Sequence, residues 1–290
     1  MNLSSSPQEG GDAVGGDGQL GRLLLEAGKL SEQDIETIRR VQRQEHLRFG
    51  EAALRLGLIQ ESDLLLALAR QFAFPCISGQ TNRFAPELKA AFHPFSPCGE
   101  ALRWLRSQLL LRWFGGRRKV LALLATATGE GCSWVAANLA VVFAQLGEKT
   151  LLVDADLRHS SLHQYFGLEG RQGLSSILAG RRTLEEVESE IPELGRLSVL
   201  AAGAPPPNPQ ELLLRPSFLQ LLEQAGERFD VVLLDTPPAL VSADAQIVAV
   251  SAGGGVLVMR RHETRSADAL QVKNHLQAAG AEVVGAVLLS

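Results

Sequence analysis

Three carboxylates and one glycine-rich turn carry the chemistry legible in this sequence. The turn reads Ala125-Thr126-Ala127-Thr128-Gly129-Glu130-Gly131-Cys132-Ser133 and follows a short apolar run. Glycines in such a turn let backbone N–H groups point inward around a phosphate, and a helix starting there adds its dipole. Ser133 offers a hydroxyl to Mg²⁺. Gly129, Glu130, Gly131, Cys132 and Ser133 are therefore nucleotide-binding candidates. Cys132 occupies the place of the lysine that grips β- and γ-phosphates, and a neutral thiol cannot offset their charge. Two further apolar runs end in acids: Val153-Asp154-Ala155-Asp156-Leu157-Arg158 and Leu234-Asp235-Thr236-Pro237-Pro238. Carboxylates placed this way hold Mg²⁺, directly or through water, and orient a nucleophile. Asp154 and Asp156 are the catalytic candidates; Ser133, Asp154 and Asp235 are the metal candidates. A single aspartate at a strand end is as readily a cap or turn former. Three of them in this order behind the glycine-rich turn point to a nucleotide site. Arg158, two residues beyond Asp156, is the cation read as a partial substitute for the missing lysine.

The elements that must position these residues follow from the pattern of apolar positions. Val120–Ala125, Leu151–Val153, Val231–Leu234, Val256–Met259 and Val283–Leu288 read as buried strands. Ser133–Leu146, Pro209–Ala225 and Arg265–Ala279 read as helices, the second capped by Asn208 with proline at its first position. Strands alternating with helices predict an α/β fold with a mainly parallel sheet, in which ligands sit at the carboxyl ends of the strands. Glu100 to Trp113 has helical spacing, ended by Gly115-Gly116.

The N-terminal part is different. A 29-residue repeat runs through residues 18–75: Gly21 maps to Gly50, Gly28 to Gly57, Asp34 to Asp63 and Gln42 to Gln71. Each copy reads as a short helix, a glycine-ended turn and a longer helix capped near Ser31 or Glu61, giving a small all-helical domain. Residues 1–17, rich in Gly, Ser and Asp, read as disordered, and residues 76–95, punctuated by prolines, as a linker. The P-loop domain then spans 96–290.

With 46% hydrophobic and 21% charged residues the composition is that of an ordinary globular protein. A net charge of −4 disfavours nucleic acid as a partner. Three cysteines without metal-ligand spacing suit a reducing compartment. No apolar run is long enough to span a bilayer, so the expected location is the cytoplasm, peripheral at the inner face of the plasma membrane, with any membrane link made through a partner.

Residues 96–290 resemble the cytoplasmic kinase domain of bacterial tyrosine kinases (BY-kinases) of the chain-length-determinant type found with exopolysaccharide synthesis. The resemblance rests on Glu100-Ala-Leu-Arg103-Trp-Leu-Arg106, Gly129-Glu-Gly-Cys-Ser133, Asn138-Leu-Ala, Val153-Asp-Ala-Asp-Leu-Arg158, Gly203-Ala-Pro-Pro-Pro-Asn-Pro-Gln-Glu-Leu-Leu213 and Phe229-Asp-Val-Val-Leu-Leu-Asp-Thr-Pro-Pro238. It implies a MinD-like P-loop NTPase fold, an ATP/Mg²⁺ site with Asp235 in the Walker B position, and ATP-dependent tyrosine (auto)kinase activity in polysaccharide export and chain-length control. It implies that Glu100, Arg103 and Arg106 dock copies of the chain into a homo-oligomer, and that a membrane chain-length regulator (polysaccharide co-polymerase) is the partner. The sequence departs from the family at Cys132, at Leu289 where an asparagine reading adenine is usual, and at Trp134 after Ser133, read as a core-packing residue. Its one tyrosine is Tyr165, so no C-terminal tyrosine cluster is expected. These departures lead us to expect weak or lost kinase activity. They leave open a catalytically degenerate scaffold that binds the regulator, and a MinD-like ATPase switch. The 18–75 repeat resembles the N-terminal domain of type II secretion and pilus ATPases. That resemblance implies cyclic di-GMP binding through Leu20, Gly21, Arg48 and Gly50.

Overall fold

The computed structural model describes residues 13–77 and 81–290. The disorder read for residues 1–12, and residues 78–80 of the linker, lie outside the described residues. The chain divides into two compact units, residues 1–79 and 80–290.

The described residues of the first unit form four helices: α1 (Ala13–Glu26), α2 (Glu32–Glu45), α3 (Phe49–Arg55) and α4 (Glu61–Gln71). The backbone of residues 13–17 is helical here, not the disordered segment expected from composition. The sequence repeat is a structural repeat down to its hydrogen bonds. Gly28 and Gly57 both take φ 66° past a helix end. There Gly28 N–H donates to Leu25 and Lys29 N–H to Leu24, as Gly57 does to Leu54 and Leu58 to Ala53. Only glycine enters that left-handed region without strain, which is why it recurs at this spacing. Asp34 and Asp63 then accept from the backbone N–H of Ser31 and Gln60 at 2.8 and 3.0 Å, closing equivalent caps. Leu20, Leu24, Ile38, Phe49 and Ile59 form the core.

The second unit opens with α5 (Lys89–Phe92) and α6 (Pro97–Leu109), the latter continuing as a π-helical turn over Leu110–Phe114. After β1 (Val120–Ala125) come α7 (Cys132–Gln145), β2 (Thr150–Asp154), and the short helices α8 (Leu162–Tyr165), α9 (Leu174–Leu178) and α10 (Leu184–Val187). Then follow β3 (Ser189–Ile191), β4 (Leu197–Leu200), α11 (Pro209–Leu213), α12 (Pro216–Arg228), β5 (Val231–Asp235), α13 (Asp244–Ala252), β6 (Gly254–Arg260), α14 (Ser266–Ala278) and β7 (Glu282–Leu289). The seven strands lie in the order β3-β4-β2-β5-β1-β6-β7. All neighbours are parallel except β3 with β4. The α/β expectation therefore holds, with helices flanking a mainly parallel sheet. The central strands are solid runs of Val, Leu and Ala because parallel strands are buried on both faces. Helix α7 is buried almost all round.

Three details differ from the sequence reading. The helix expected over Pro209–Ala225 is two helices: Pro216 has no N–H to donate, and it drives Arg215 to ψ 148°, out of the helical region. The edge strand β3 and its neighbour β4, of three and four residues, are too short to register as periodic. The segment read as linker also contributes to the fold beyond residue 83. Phe84, Leu88, Ala90 and Ala91 are buried, and Ala90 N–H donates to Asn138 Oδ1 of α7 at 2.9 Å. Prolines there bend a packed segment rather than marking a free one.

Candidate functional site

The sheet order explains how distant residues meet. β1 lies beside β5, and β5 beside β2, in register so that Asp154 pairs with Asp235. The glycine-rich turn after β1 and the acids ending β2 and β5 thus share one carboxyl edge, beside the N-terminus of α7. An open cavity of about 610 Å³ lies there, within the range of small-molecule sites. Ala127 to Trp134 line one wall, with Asp156, His159, Ser161, Tyr165, Thr236, Pro238, Arg260 and Glu87 around the rest.

Gly129 and Gly131 take φ 89° and 92°, the conformation that turns the loop's amides inward. A Cβ on Gly131 would stand 2.6 Å from Leu289 Cδ1 and 3.7 Å from the Arg260 guanidinium, so the loop is overlaid by the ends of β6 and β7. Glu130, expected to face a nucleotide, is turned the other way. Its carboxylate accepts from the backbone N–H of Thr126 and Ala127 at 2.7 and 3.1 Å and from the Thr126 and Thr264 hydroxyls at 2.7 and 2.6 Å. Burial works against this charge, but the four donors outweigh it and hold the carboxyl below its ordinary range. Glu130 braces the loop.

The three aspartates divide their work. Asp154 is fully buried, and its oxygens accept from the N–H groups of Asp156, Ser161 and Leu162. It shapes the turn after β2 and does not line the cavity; burial, then the nearby Asp235 charge, push its carboxyl well above the usual range. Asp156 lines the cavity, one oxygen accepting from the Arg158 and His159 backbone. Asp235 is 1% exposed, and neither of its oxygens has a hydrogen-bond partner. Burial above all, with the Asp156 charge, drives it up to about 7. The Ser133 hydroxyl and Cys132 thiol face it and pull the other way, without completing a hydrogen bond of ordinary geometry. An orphaned buried carboxylate beside a hydroxyl is the half-built shell a hard cation completes. Among the described residues no three His, Cys, Asp or Glu side chains are grouped to hold a metal alone. Mg²⁺ suits such a place, since it takes one or two protein oxygens together with phosphate and water.

Cys132 is buried, and burial first, then the Asp235 charge, raise its thiol well above the ordinary value. A thiol held protonated is a poor nucleophile, since attack needs the thiolate. Arg158 is not brought to the loop. Its guanidinium is held by Asp244 at the start of α13, with Nε 2.7 Å from Oδ2 and Nη2 3.3 Å from Oδ1. The reading of Arg158 as the substitute cation is therefore corrected. Trp134, expected in the core, lines the cavity, and its indole N–H donates to the Glu87 carbonyl at 2.8 Å. Sequence reasoning missed Arg260, although the rule that pointed to the acids, ligands at strand carboxyl ends, points equally to the end of β6.

Away from this cavity, Glu100 and Arg103 pair along α6, while Arg106 turns inward to the Val142 carbonyl at 2.9 Å. In the first unit, Leu20 is core. A Cβ on Gly21 would meet the Phe49 ring at 3.1 Å, and one on Gly50 would meet Leu64 at 2.7 Å. Both glycines thus leave room for neighbouring side chains. Arg48 stands at the cap of α3, where its backbone N–H donates to Glu51.

The chain is 37% identical over 207 residues to the tyrosine-protein kinase YwqD of Bacillus subtilis, covering 71% of this chain and 87% of YwqD. The chain belongs to the bacterial tyrosine-protein kinases. It is also 39% identical over 213 residues to EpsB of Ralstonia solanacearum, provisionally named a tyrosine-protein kinase, and 35% identical over 199 residues to the tyrosine-protein kinase Etk of Escherichia coli. Those matches cover 73% and 69% of this chain, but only 28% of EpsB and 27% of Etk. Among solved structures, the Etk kinase domain aligns with TM-score 0.69 at 33% identity, over 73% of this chain and 82% of that domain. The BceF tyrosine kinase domain aligns with TM-score 0.66 at 31% identity, over 79% and 89%. MinD of Pyrococcus horikoshii shares the fold, with TM-score 0.52 at 24% identity over 59% of this chain and 70% of that one. No family model matches the chain.

Proposed function

We propose that this tyrosine-kinase relative binds ATP with Mg²⁺ in the cavity at the glycine-rich loop and transfers phosphate slowly or not at all, serving exopolysaccharide synthesis and chain-length control. The observation that carries the proposal is Asp235: both oxygens buried, unpartnered and faced by the Ser133 hydroxyl. Ser133 and Asp235 would hold Mg²⁺; the ion, when bound, offsets charge on the phosphates. Gly129 to Ser133 would supply backbone N–H groups to the phosphates, and the N-terminus of α7 its dipole. Asp156, at the cavity wall, is better placed than Asp154 to contact the reacting groups.

Weak chemistry follows from Cys132. A lysine contact to β/γ-phosphate strengthens as charge develops in the transition state, so its loss falls on the rate more than on binding. Leu289, lying against Gly131, cannot read adenine as an amide would. The cellular reading follows from the family: work at the inner face of the plasma membrane with a membrane chain-length regulator, in a homo-oligomer. No helix among the described residues is long and apolar enough to cross a membrane, which fits attachment through a partner. Glu100 is the exposed member of its trio and the one available to a neighbouring copy.

The test is ATP turnover by the purified chain beside Cys132→Lys. The variant should be faster by about tenfold or more, since each factor of ten is only ~1.4 kcal/mol of barrier. A wild type as fast as the variant contradicts the slow-transfer reading.

A further inference from the structure

We propose that Arg260 supplies the positive charge the phosphate-binding loop lacks, contacting the phosphates of the bound nucleotide from the end of β6. The inference rests on the nucleotide-binding reading and names the residue that makes it workable without a loop lysine. The cavity favours a cation: Asp156 and Glu87 belong to its lining, and the buried Asp235 faces Ser133, another lining residue. Among the described residues lining it, Arg260 is the one lysine or arginine. Without it, a nucleoside triphosphate would meet backbone N–H groups and the α7 dipole but no charged side chain to offset its phosphates.

Position and availability agree. The guanidinium stands 3.7 Å from where a Cβ of Gly131 would be, at the middle of the loop. Its Nε is buried without a hydrogen-bond partner, and among the described residues its one ion pair, to Glu263, is long at 3.8 Å. An arginine that close to a carboxylate usually forms a tight two-point pair. This one keeps its Nε unpaired, whereas Arg158 commits Nε and Nη2 to Asp244.

The residue is also held in place. Arg260 backbone N–H donates to the Thr264 hydroxyl at 2.8 Å, and that hydroxyl donates to Glu130 at 2.6 Å. Glu130 in turn grips the first two amides of the loop. The strand that carries the cation and the loop that cradles phosphate are thus fastened by one carboxylate. The planar guanidinium can donate to two phosphate oxygens at once, where a lysine is a point charge.

The test titrates the full-length chain, with Mg²⁺, against ATP and separately against inorganic tripolyphosphate. Arg260→Gln should weaken both by about tenfold or more, and Arg260→Lys should retain most of the affinity. In the Cys132→Lys background the Arg260→Gln loss should shrink to a few-fold, because the loop then carries its own cation; this also establishes that the Gln variant is folded. Wild type and Arg260→Gln binding ATP equally would overturn the inference and leave the nucleotide reading standing. A loss for ATP but not for tripolyphosphate would place Arg260 on the base and overturn the phosphate contact. A wild type that binds neither probe would remove both readings.

Discussion

At the scale of residues, the site is defined by which polar groups are satisfied and which are not. Asp154, read from sequence as a metal ligand, spends its oxygens on three backbone N–H groups; Asp235 spends none. Both look alike as letters at a strand end, and only the turn that follows distinguishes them. Arg158 was misread because Asp244, which captures it, lies 86 residues away, and nothing local announces that pairing. The unsatisfied Asp235 has a measurable cost. Its carboxyl titrates near 7 in the folded protein instead of 3.8, so between those values the folded state holds a proton that the unfolded chain releases. Stability then falls as pH rises through that window, and the full cost is present above it. In Mg²⁺-free buffer Asp235→Asn should therefore gain stability over wild type at pH 8 but much less at pH 5. Urea midpoints at the two pH values check this; a difference independent of pH would contradict it.

Elements set the site through their ends. β1, β2 and β5 were recognisable as apolar runs, and the order of motifs placed their acids on one edge. What sequence could not supply was the closure of that edge by β6, β7 and the turn after Arg260. The Thr264–Glu130 bond spans 134 positions. Its importance to the loop is testable without touching the cavity wall. Thr264→Val keeps the side-chain shape but leaves buried Glu130 one donor short, a change that typically costs about 1–3 kcal/mol. Chemical denaturation should register a loss of that size for Thr264→Val and little for Thr264→Ser. Equal stability of all three proteins would mean the clasp contributes nothing. The break between α11 and α12 was legible in principle, since Pro216 forbids a continuous helix; the apolar periodicity on either side concealed it.

For the whole molecule, a 29-residue repeat and an α/β unit were both visible as patterns, and the structure gives each its own core. The repeat was readable because Gly28 and Gly57 do the same conformational job. What spacing alone could not reveal is that Phe49 and Leu64 pack where a side chain at Gly21 and Gly50 would stand. In the α/β unit, fold and family are those of the P-loop kinases, and the proposed nucleotide site lacks the loop lysine but keeps Ser133 facing the unpartnered Asp235. The most direct test of that account is equilibrium titration of the full chain with ATP, with and without Mg²⁺, beside Asp235→Ala. The account predicts that wild type binds ATP, that Mg²⁺ strengthens binding, and that Asp235→Ala abolishes the Mg²⁺ effect. A wild type that binds no ATP with Mg²⁺ present, or binds it with no dependence on Mg²⁺, would contradict it.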